Sequence, residues 1–220
     1  MTFIISIEGN IGSGKSTILS LLKEECKKNN NIIFLQEPVL EWNEITDNSG
    51  QTILSKFYEN QEKYSFAFQM MAYISRLSLL KKAIKENPGA IIVTERCLET
   101  DRHVFAKMLY DSGKIEEVEY KIYLRWFDDF NEEVKINKMI YLKTLPETSY
   151  YRIGKRSRDG ESSISLDYLI ACDVYHQTMI DNIGIETMVI NCDDDIEQNS
   201  AVMEKWIDKI KKFILNIKSV

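Results

Sequence analysis

The stretch Gly9-Asn10-Ile11-Gly12-Ser13-Gly14-Lys15-Ser16-Thr17 constrains this chain more than any other segment. It follows a short apolar run, Phe3 to Ile7, and precedes a pattern of helical spacing, so GxxxxGK[ST] sits in the strand, loop and helix context that gives it meaning. Glycines let backbone N–H groups turn inward on an anion, and the positive end of the following helix favours negative charge there. Lys15 is placed to reach β- and γ-phosphates, and Ser16 to reach Mg²⁺. The competing reading is a glycine-rich turn that holds no ligand.

A phosphate loop of this kind belongs to a parallel α/β sheet, and the remaining pattern supplies one. After the loop, Ile18, Leu19, Leu21, Leu22 and Cys26 recur at helical spacing, ended by Lys27-Lys28-Asn29-Asn30. The apolar run Ile32 to Leu35 stops at Gln36-Glu37-Pro38, because Pro38 cannot continue a central ladder. Glu37 therefore falls at the C-terminal end of a strand, where open parallel sheets bind ligands; a solvated loop glutamate is the alternative. Residues 53–59 form a short helix and Glu62 to Glu86 a long one, carrying Tyr64, Phe68, Met71, Ile74, Leu77 and Leu80. Gln69, Tyr73 and Arg76 share one face of it with Ala72, and on an ordinary helix that stripe is the wet side.

Ala90 to Thr94 is a third apolar run, continuous enough for a strand buried on both faces, and it ends in Glu95-Arg96. A carboxylate at that position in a phosphate-loop protein is a candidate Mg²⁺ contact, with Arg96 facing the same phosphates. Helices follow around Asp101 to Tyr110 and from about Glu116 to Asn137, then a strand from Met139 to Leu142. Pro146 opens a helix that ends in Arg152-Ile153-Gly154-Lys155-Arg156-Ser157-Arg158, a cationic cluster in an acidic chain. A charge run is ordinarily solvated, but phosphoryl transfer calls for cationic donors over the nucleotide, which favours an anion-binding loop. A helix from Leu166 to Ile183, a strand from Thr187 to Asn191 and an amphipathic helix through Met203, Trp206, Ile207, Ile210, Phe213, Ile214 and Ile217 complete the chain. The alternation predicts a doubly wound five-stranded parallel sheet sandwiched by helices, in a single domain over residues 1–220 with a lid loop near 152–161.

Composition narrows the ligand. A net charge of −6 argues against a nucleic-acid polymer, whereas a small nucleotide needs only a local basic cluster. Cys26, Cys97, Cys172 and Cys192 form no CxxC pair, which suggests neither zinc nor a disulfide framework and fits a reducing setting. No apolar run nears the ~20 residues of a membrane span, so no membrane partner and a cytoplasmic location are expected.

In chain order, Ile7-Glu8-Gly9-Asn10-Ile11-Gly12-Ser13-Gly14-Lys15-Ser16-Thr17, Glu37-Pro38-Val39 with Trp42, Phe68-Gln69, Glu95-Arg96, Asp101-Arg102 and the arginine-rich lid with Glu161 resemble the deoxynucleoside kinase family. The likeness, which extends to deoxycytidine and deoxyguanosine kinases, spans nearly the whole chain. It implies a P-loop kinase that moves the γ-phosphate of ATP, with Mg²⁺, to the 5′-hydroxyl of a deoxynucleoside, the first step of nucleotide salvage. By that resemblance Glu37 is the general base, Arg96 contacts Glu37 and the moving phosphate, and Arg152, Arg156 and Arg158 stack on adenine or neutralise charge. Trp42 lines the nucleoside pocket, Gln69 bonds the base edge, and Tyr58 and Glu161 hold the sugar 3′-hydroxyl. Arg76 and Asp101 match a pair beneath the base that favours deoxycytidine or purine deoxynucleosides over thymidine. Asp194 and Ile196 fall in the adenine-side loop.

The resemblance further implies a homodimer, with a deoxynucleoside triphosphate as a feedback inhibitor. Where the family often has tandem acidic residues, Gly160-Glu161 leaves one carboxylate, and Ile196 stands where some relatives carry an aromatic. Two rivals differ in kind. A nucleoside-monophosphate kinase would need a basic clamp at the acceptor, where Glu37, Tyr58 and Glu161 stand instead; a non-catalytic nucleotide sensor would have no use for Glu37.

Overall fold

Alternation of side chains along short strands decides which helices cover which face of the sheet. In the computed structural model, which describes residues 2–156, 161–194 and 200–216, strands β1 (Phe3–Glu8), β2 (Ile32–Leu35), β3 (Ile91–Glu95), β4 (Lys138–Lys143) and β5 (Glu186–Asn191) pair in parallel in the order β2-β3-β1-β4-β5. Ile5, Ile7, Val93, Ile140 and Leu142 meet α1 (Lys15–Glu25) and α10 (Ser200–Leu215) through Ile18, Leu19, Leu22, Ile207, Ile210 and Ile214. Ile4, Ile92 and Met139 point the other way, against α4 (Gln61–Glu86), α7 (Glu117–Phe130) and α9 (Leu166–Asn182) through Leu77, Leu80, Tyr123, Phe127, Cys172 and Met179. Period two in the strands and period 3.6 in the helices thus build two apolar layers around one buried sheet, as the alternation predicts.

The order of the strands creates the crevice. From β1 the chain crosses to the β2 edge and returns through β3; its next crossover lands on β4, at the opposite side of β1. Direction reverses at β1, and ligands of open parallel sheets bind outside the strand ends at such a switch. The register, with Ile7 beside Glu95 and Glu8 beside Tyr141, brings the P-loop level with the end of β3.

Three local features depart from the sequence reading. Helix α2 (Val39–Glu44) follows Pro38 directly and was not anticipated; α3 (Ile53–Glu59) comes after it, with Thr52 accepting from the Ser55 amide. The helix expected around Asp101 to Tyr110 starts as α5 (Leu98–Thr100), widens into a π-helical turn over Asp101–Ala106 and ends as α6 (Lys107–Asp111). The helix expected to reach Asn137 stops at Phe130, followed by a 3-10 turn, Asn131–Val134. Asn137 is instead claimed by the sheet, since its backbone amide donates to the Ile4 carbonyl and its side-chain oxygen accepts from the Ile4 amide, each at 2.8 Å. On α4 the stripe faces the interior and not solvent: Gln69, Tyr73 and Arg76 are 2%, 1% and 1% exposed, while Ile74 on the opposite face is 53% exposed.

Candidate active site at the strand ends

The P-loop is pressed onto the structure behind it, which is why its glycines are glycines. A Cβ on Gly9 would lie 2.6 Å from the Leu142 carbonyl oxygen, and one on Gly12 would lie 2.7 Å from that of Ser149. Both positions hold a positive φ, +146° and +81°, that side chains resist. Asn10 anchors the loop to α9 by donating from Nδ2 to the Leu169 carbonyl at 2.8 Å. Lys15 is buried, and its Nζ donates to the carbonyls of Gly9 at 3.1 Å and Asn10 at 2.7 Å. Burial, reinforced by the charge of Arg96, pulls its pKa down to about 7. Helix α1 begins at Lys15 after an N-cap, Gly14, that supplies no side-chain cap, and Gly14 to Thr17 line the cavity, so its first-turn amides are available there as donors for an anion.

Beside the loop, Ser16 Oγ donates to Glu95 Oε1 at 2.7 Å. A hydroxyl and a carboxylate in contact at a phosphate site are the hard oxygen donors that Mg²⁺ takes alongside phosphate and water oxygens. No larger cluster of three or more His, Cys, Asp or Glu side chains suited to a metal occurs among the described residues.

Arg76 organises the floor of the cavity. Its Nε donates to Asp101 Oδ2 at 2.9 Å, its Nη1 to the Glu95 carbonyl at 2.9 Å, and its Nη2 to Glu37 Oε1 at 2.8 Å. One buried guanidinium thereby ties together a strand-end backbone and two carboxylates. Burial pushes the Asp101 carboxyl up against the pull of Arg76. Burial would raise Glu37 as well, but Arg96, Arg76 and Lys15 together draw it down to about 2.

Arg96 closes the circle from the other side. It is the one non-glycine with positive φ among the described residues, at +63°, a conformation that costs on the order of 1–2 kcal/mol and is kept where surrounding contacts enforce it. Its amide donates to the Ile7 carbonyl at 3.0 Å, and its Nε approaches Glu37 Oε1 at 3.4 Å. The guanidinium carbon lies 4.8 Å from the centre of the Phe105 ring, and Nη1 lies 3.4 Å from His176 Nε2. Behind it Glu8 is fully buried and accepts from Thr100 Oγ1 at 2.6 Å; burial pushes its carboxyl up.

A cavity of about 770 Å³ joins these groups to an aromatic pocket and to the lid. Trp42 donates from its indole N–H to Ser75 Oγ at 2.8 Å and packs edge-on to Phe68, whose ring stacks on Phe57 at 4.6 Å. Gln69 and Tyr58 line the same wall, and the charge of Glu161 helps burial to push the Tyr58 hydroxyl up. At the outer rim, along α8 (Pro146–Arg156), Arg156 forks onto Glu161, with Nη2 at 2.6 Å from Oε1 and Nε at 3.2 Å from Oε2. Arg152 Nη2 donates to the Asp194 carbonyl at 2.8 Å.

Of the residues singled out from the sequence, Ile11, Gly12, Gly14, Lys15, Ser16, Thr17, Glu37, Trp42, Tyr58, Gln69, Arg76, Glu95, Arg96, Asp101, Arg152, Arg156 and Glu161 line this one cavity. Gly9, Asn10 and Ser13 lie buried beneath the loop. Asp194 is exposed and meets the site through its carbonyl, while its neighbour Asp193 lines the cavity. Arg158 and Ile196 fall outside the described residues. Sequence reasoning missed Glu8, Phe105 and His176 as parts of the site. Glu8 carried a usable signal, a carboxylate ending a strand directly before the P-loop; His176, one histidine on an amphipathic helix, carried none.

A family model described as deoxynucleoside kinase matches residues 5–215. Deoxycytidine kinase 1 of Xenopus laevis is 30% identical over 240 aligned residues, covering 96% of this chain and 89% of that protein. A probable deoxycytidine kinase of Fowlpox virus is 32% identical over 218, covering 96% and 87%. The mitochondrial deoxyguanosine kinase of Xenopus laevis is 27% identical over 241, covering 97% and 90%.

Proposed function

The chain belongs to the deoxynucleoside kinase family, and from that premise we propose that Glu37 takes the proton of the 5′-hydroxyl as the γ-phosphate of ATP is transferred to it. The enzyme is an ATP-dependent phosphotransferase of nucleotide salvage. The observation that carries the residue-level reading is Glu37 itself, a carboxylate aimed into the cavity, held by Arg76 and Arg96, and facing the same space as Lys15. Lys15 leaves the loop carbonyls for the β- and γ-phosphates, and Arg96 exchanges Glu37 for the moving phosphoryl group. Arg152 and Arg156 stack on adenine or neutralise charge on the nucleotide, and the resemblance gives Arg158 the same part. Ser16 and Glu95 hold Mg²⁺, which when bound offsets negative charge on the phosphate oxygens.

In the acceptor pocket the base lies among Trp42, Phe68 and Phe57, with Gln69 on its edge and Arg76 and Asp101 beneath it. Tyr58 and Glu161 hold the 3′-hydroxyl, so Arg156 releases Glu161 when the sugar arrives. This arrangement supports deoxycytidine and purine deoxynucleosides over thymidine, because Asp101 accepts from an exocyclic amino group that thymine lacks. Since one cavity joins both substrate regions, a deoxynucleoside triphosphate end product fits as an inhibitor with its phosphates on the P-loop. The outward apolar stripe of Ile74, Val118, Ile122 and Trp126 on α4 and α7 supports a homodimer. Four free cysteines suit a cytoplasmic setting, and among the described residues no helix is long and apolar enough to cross a membrane.

Purified protein incubated with ATP, Mg²⁺ and each natural deoxynucleoside at matched concentration tests the reading. Turnover with deoxycytidine or the purines and little with thymidine is expected; nucleotide binding without turnover would make the chain a sensor.

A further inference from the structure

The imidazole of His176 is fully buried and sits between two groups of fixed character. On one side Nδ1 lies 2.7 Å from the Cys172 carbonyl oxygen, one turn back along α9. A carbonyl only accepts, so Nδ1 carries the ring proton and Nε2 is left with a lone pair. On the other side that lone pair points at Nη1 of Arg96, 3.4 Å away. The ring itself cannot turn freely, because Tyr141 stacks along it at 6.2 Å and Phe105 meets it edge-on at 6.0 Å. Burial and the charge of Arg96 both hold the imidazole well below its ordinary pKa, and so neutral.

We propose that His176 is a positioning residue for Arg96: its bare Nε2 accepts from the guanidinium and fixes the angle at which Arg96 meets the transferring phosphoryl group. The need for such a fixture follows from the other contacts. Glu37 and the phosphate compete for the same guanidinium, Phe105 offers a face without a direction, and the backbone of Arg96 is held at a positive φ. A directional acceptor on the side away from Glu37 lets Arg96 change partners without losing its aim. A doubly protonated ring would repel Arg96, and the opposite neutral tautomer would set N–H against N–H, so the Cys172 carbonyl is part of the device. This inference rests on the role given above to Arg96.

The amide variants separate the two nitrogens. His176→Asn keeps a donor for the Cys172 carbonyl and removes the acceptor; His176→Gln keeps an acceptor near the Nε2 position. Loss of aim should lower kcat of the Asn variant on the order of tenfold with the deoxynucleoside KM within about twofold, and the Gln variant should recover most of it. In an Arg96→Lys background the Asn substitution should have no further effect. If Arg96→Lys alone turns over at the parent rate, it is the role of Arg96 that fails. If Arg96→Lys is slow and the Asn substitution slows it by the same factor as in the parent, or if Asn and Gln lose activity equally, His176 is core packing and the proposal falls. Imidazole ¹⁵N spectra of the unmodified protein, which has two histidines, need no variant to fold. They should show His176 protonated at Nδ1 and bare at Nε2, and the opposite tautomer or a doubly protonated ring overturns the proposal.

Discussion

Arg76 carries two loads at once, and replacing it separates them. In Arg76→Met, Asp101 at 2% exposure loses the guanidinium that hydrogen-bonds it, and Glu37 and the Glu95 carbonyl each lose a donor. Breaking a buried pair from one side typically costs ~3–5 kcal/mol. In a chain of this length each kcal/mol moves the melting temperature by roughly 2–4 °C, so a fall on the order of 6–20 °C is expected. The unpaired Asp101 carboxyl, already pushed up by burial, rises further above its unfolded value. The folded state then binds more protons than the unfolded one, so the variant should be relatively more stable at pH 5 than at pH 8. Adding Asp101→Ala removes the stranded acid, and the double variant should melt above Arg76→Met alone. It should also accept thymidine, whose 5-methyl no longer meets desolvated charge. An unpaired buried polar group costs ~1–3 kcal/mol, more when charged, so thymidine should gain about tenfold to several hundredfold relative to deoxycytidine. Thermal melts at the two pH values and competition between nucleosides read both effects. Strict additivity of the single variants would deny the pairing, and a parent enzyme that already uses thymidine as well as deoxycytidine would deny its role in selection.

Three further outcomes follow from the same geometry. Glu37→Gln should lose about 10² to 10⁴ in kcat with deoxynucleoside binding nearly retained, and turnover at the parent rate would remove Glu37 from the chemistry. Because the Glu37 carboxyl is held at about 2, its stabilising contribution is present above the ordinary carboxylate pKa and lost only as pH falls toward that value; kcat/KM should show no acid limb from Glu37 between pH 5 and 7, and a limb there that disappears in Glu37→Gln would contradict it. Arg156→Ala should slow turnover about 100-fold or more, with Lys a poor substitute because it lacks the planar fork that Arg156 turns from Glu161 to the phosphates, and full activity in single-turnover assays would reduce the lid to a solvated loop.

What the sequence disclosed was what lies close together along the chain. Lys15, Ser16, Glu37, Glu95 and Arg96 stand at strand ends or in a spaced motif, so local pattern was enough to send them to one crevice. From periodicity alone the stripe of Gln69, Tyr73 and Arg76 was legible as a face but not as an inward one; only the resemblance set Gln69 and Arg76 at a site. Periodicity fixes which residues share a side, while direction depends on what that side meets, here Asp101 and Glu37, at 25 and 39 residues' remove from Arg76. The exposed Ile74 opposite shows the usual polarity of a surface helix inverted on α4. His176 was invisible for the same reason, since its partner Arg96 lies 80 residues away.

The low pKa of Glu37 is at first sight at odds with a base, because a carboxylate held at about 2 is a weak proton acceptor. The resolution lies in which charges depress it. The charges of Arg96, Arg76 and Lys15 all lower it, and Arg76 adds a hydrogen bond of 2.8 Å. Arg96 and Lys15 are the two cations expected to turn to the phosphates when ATP binds, leaving Arg76 to orient the carboxylate. Donor binding therefore weakens the hold on Glu37 at the moment a hydroxyl needs deprotonating, and without ATP the carboxylate stays charged and poorly basic. A base tuned this way has little tendency to act in the half-filled site. Its basicity depends on Arg96 having another anion to face, and this makes the direction in which Arg96 is held a matter of chemistry as much as of packing.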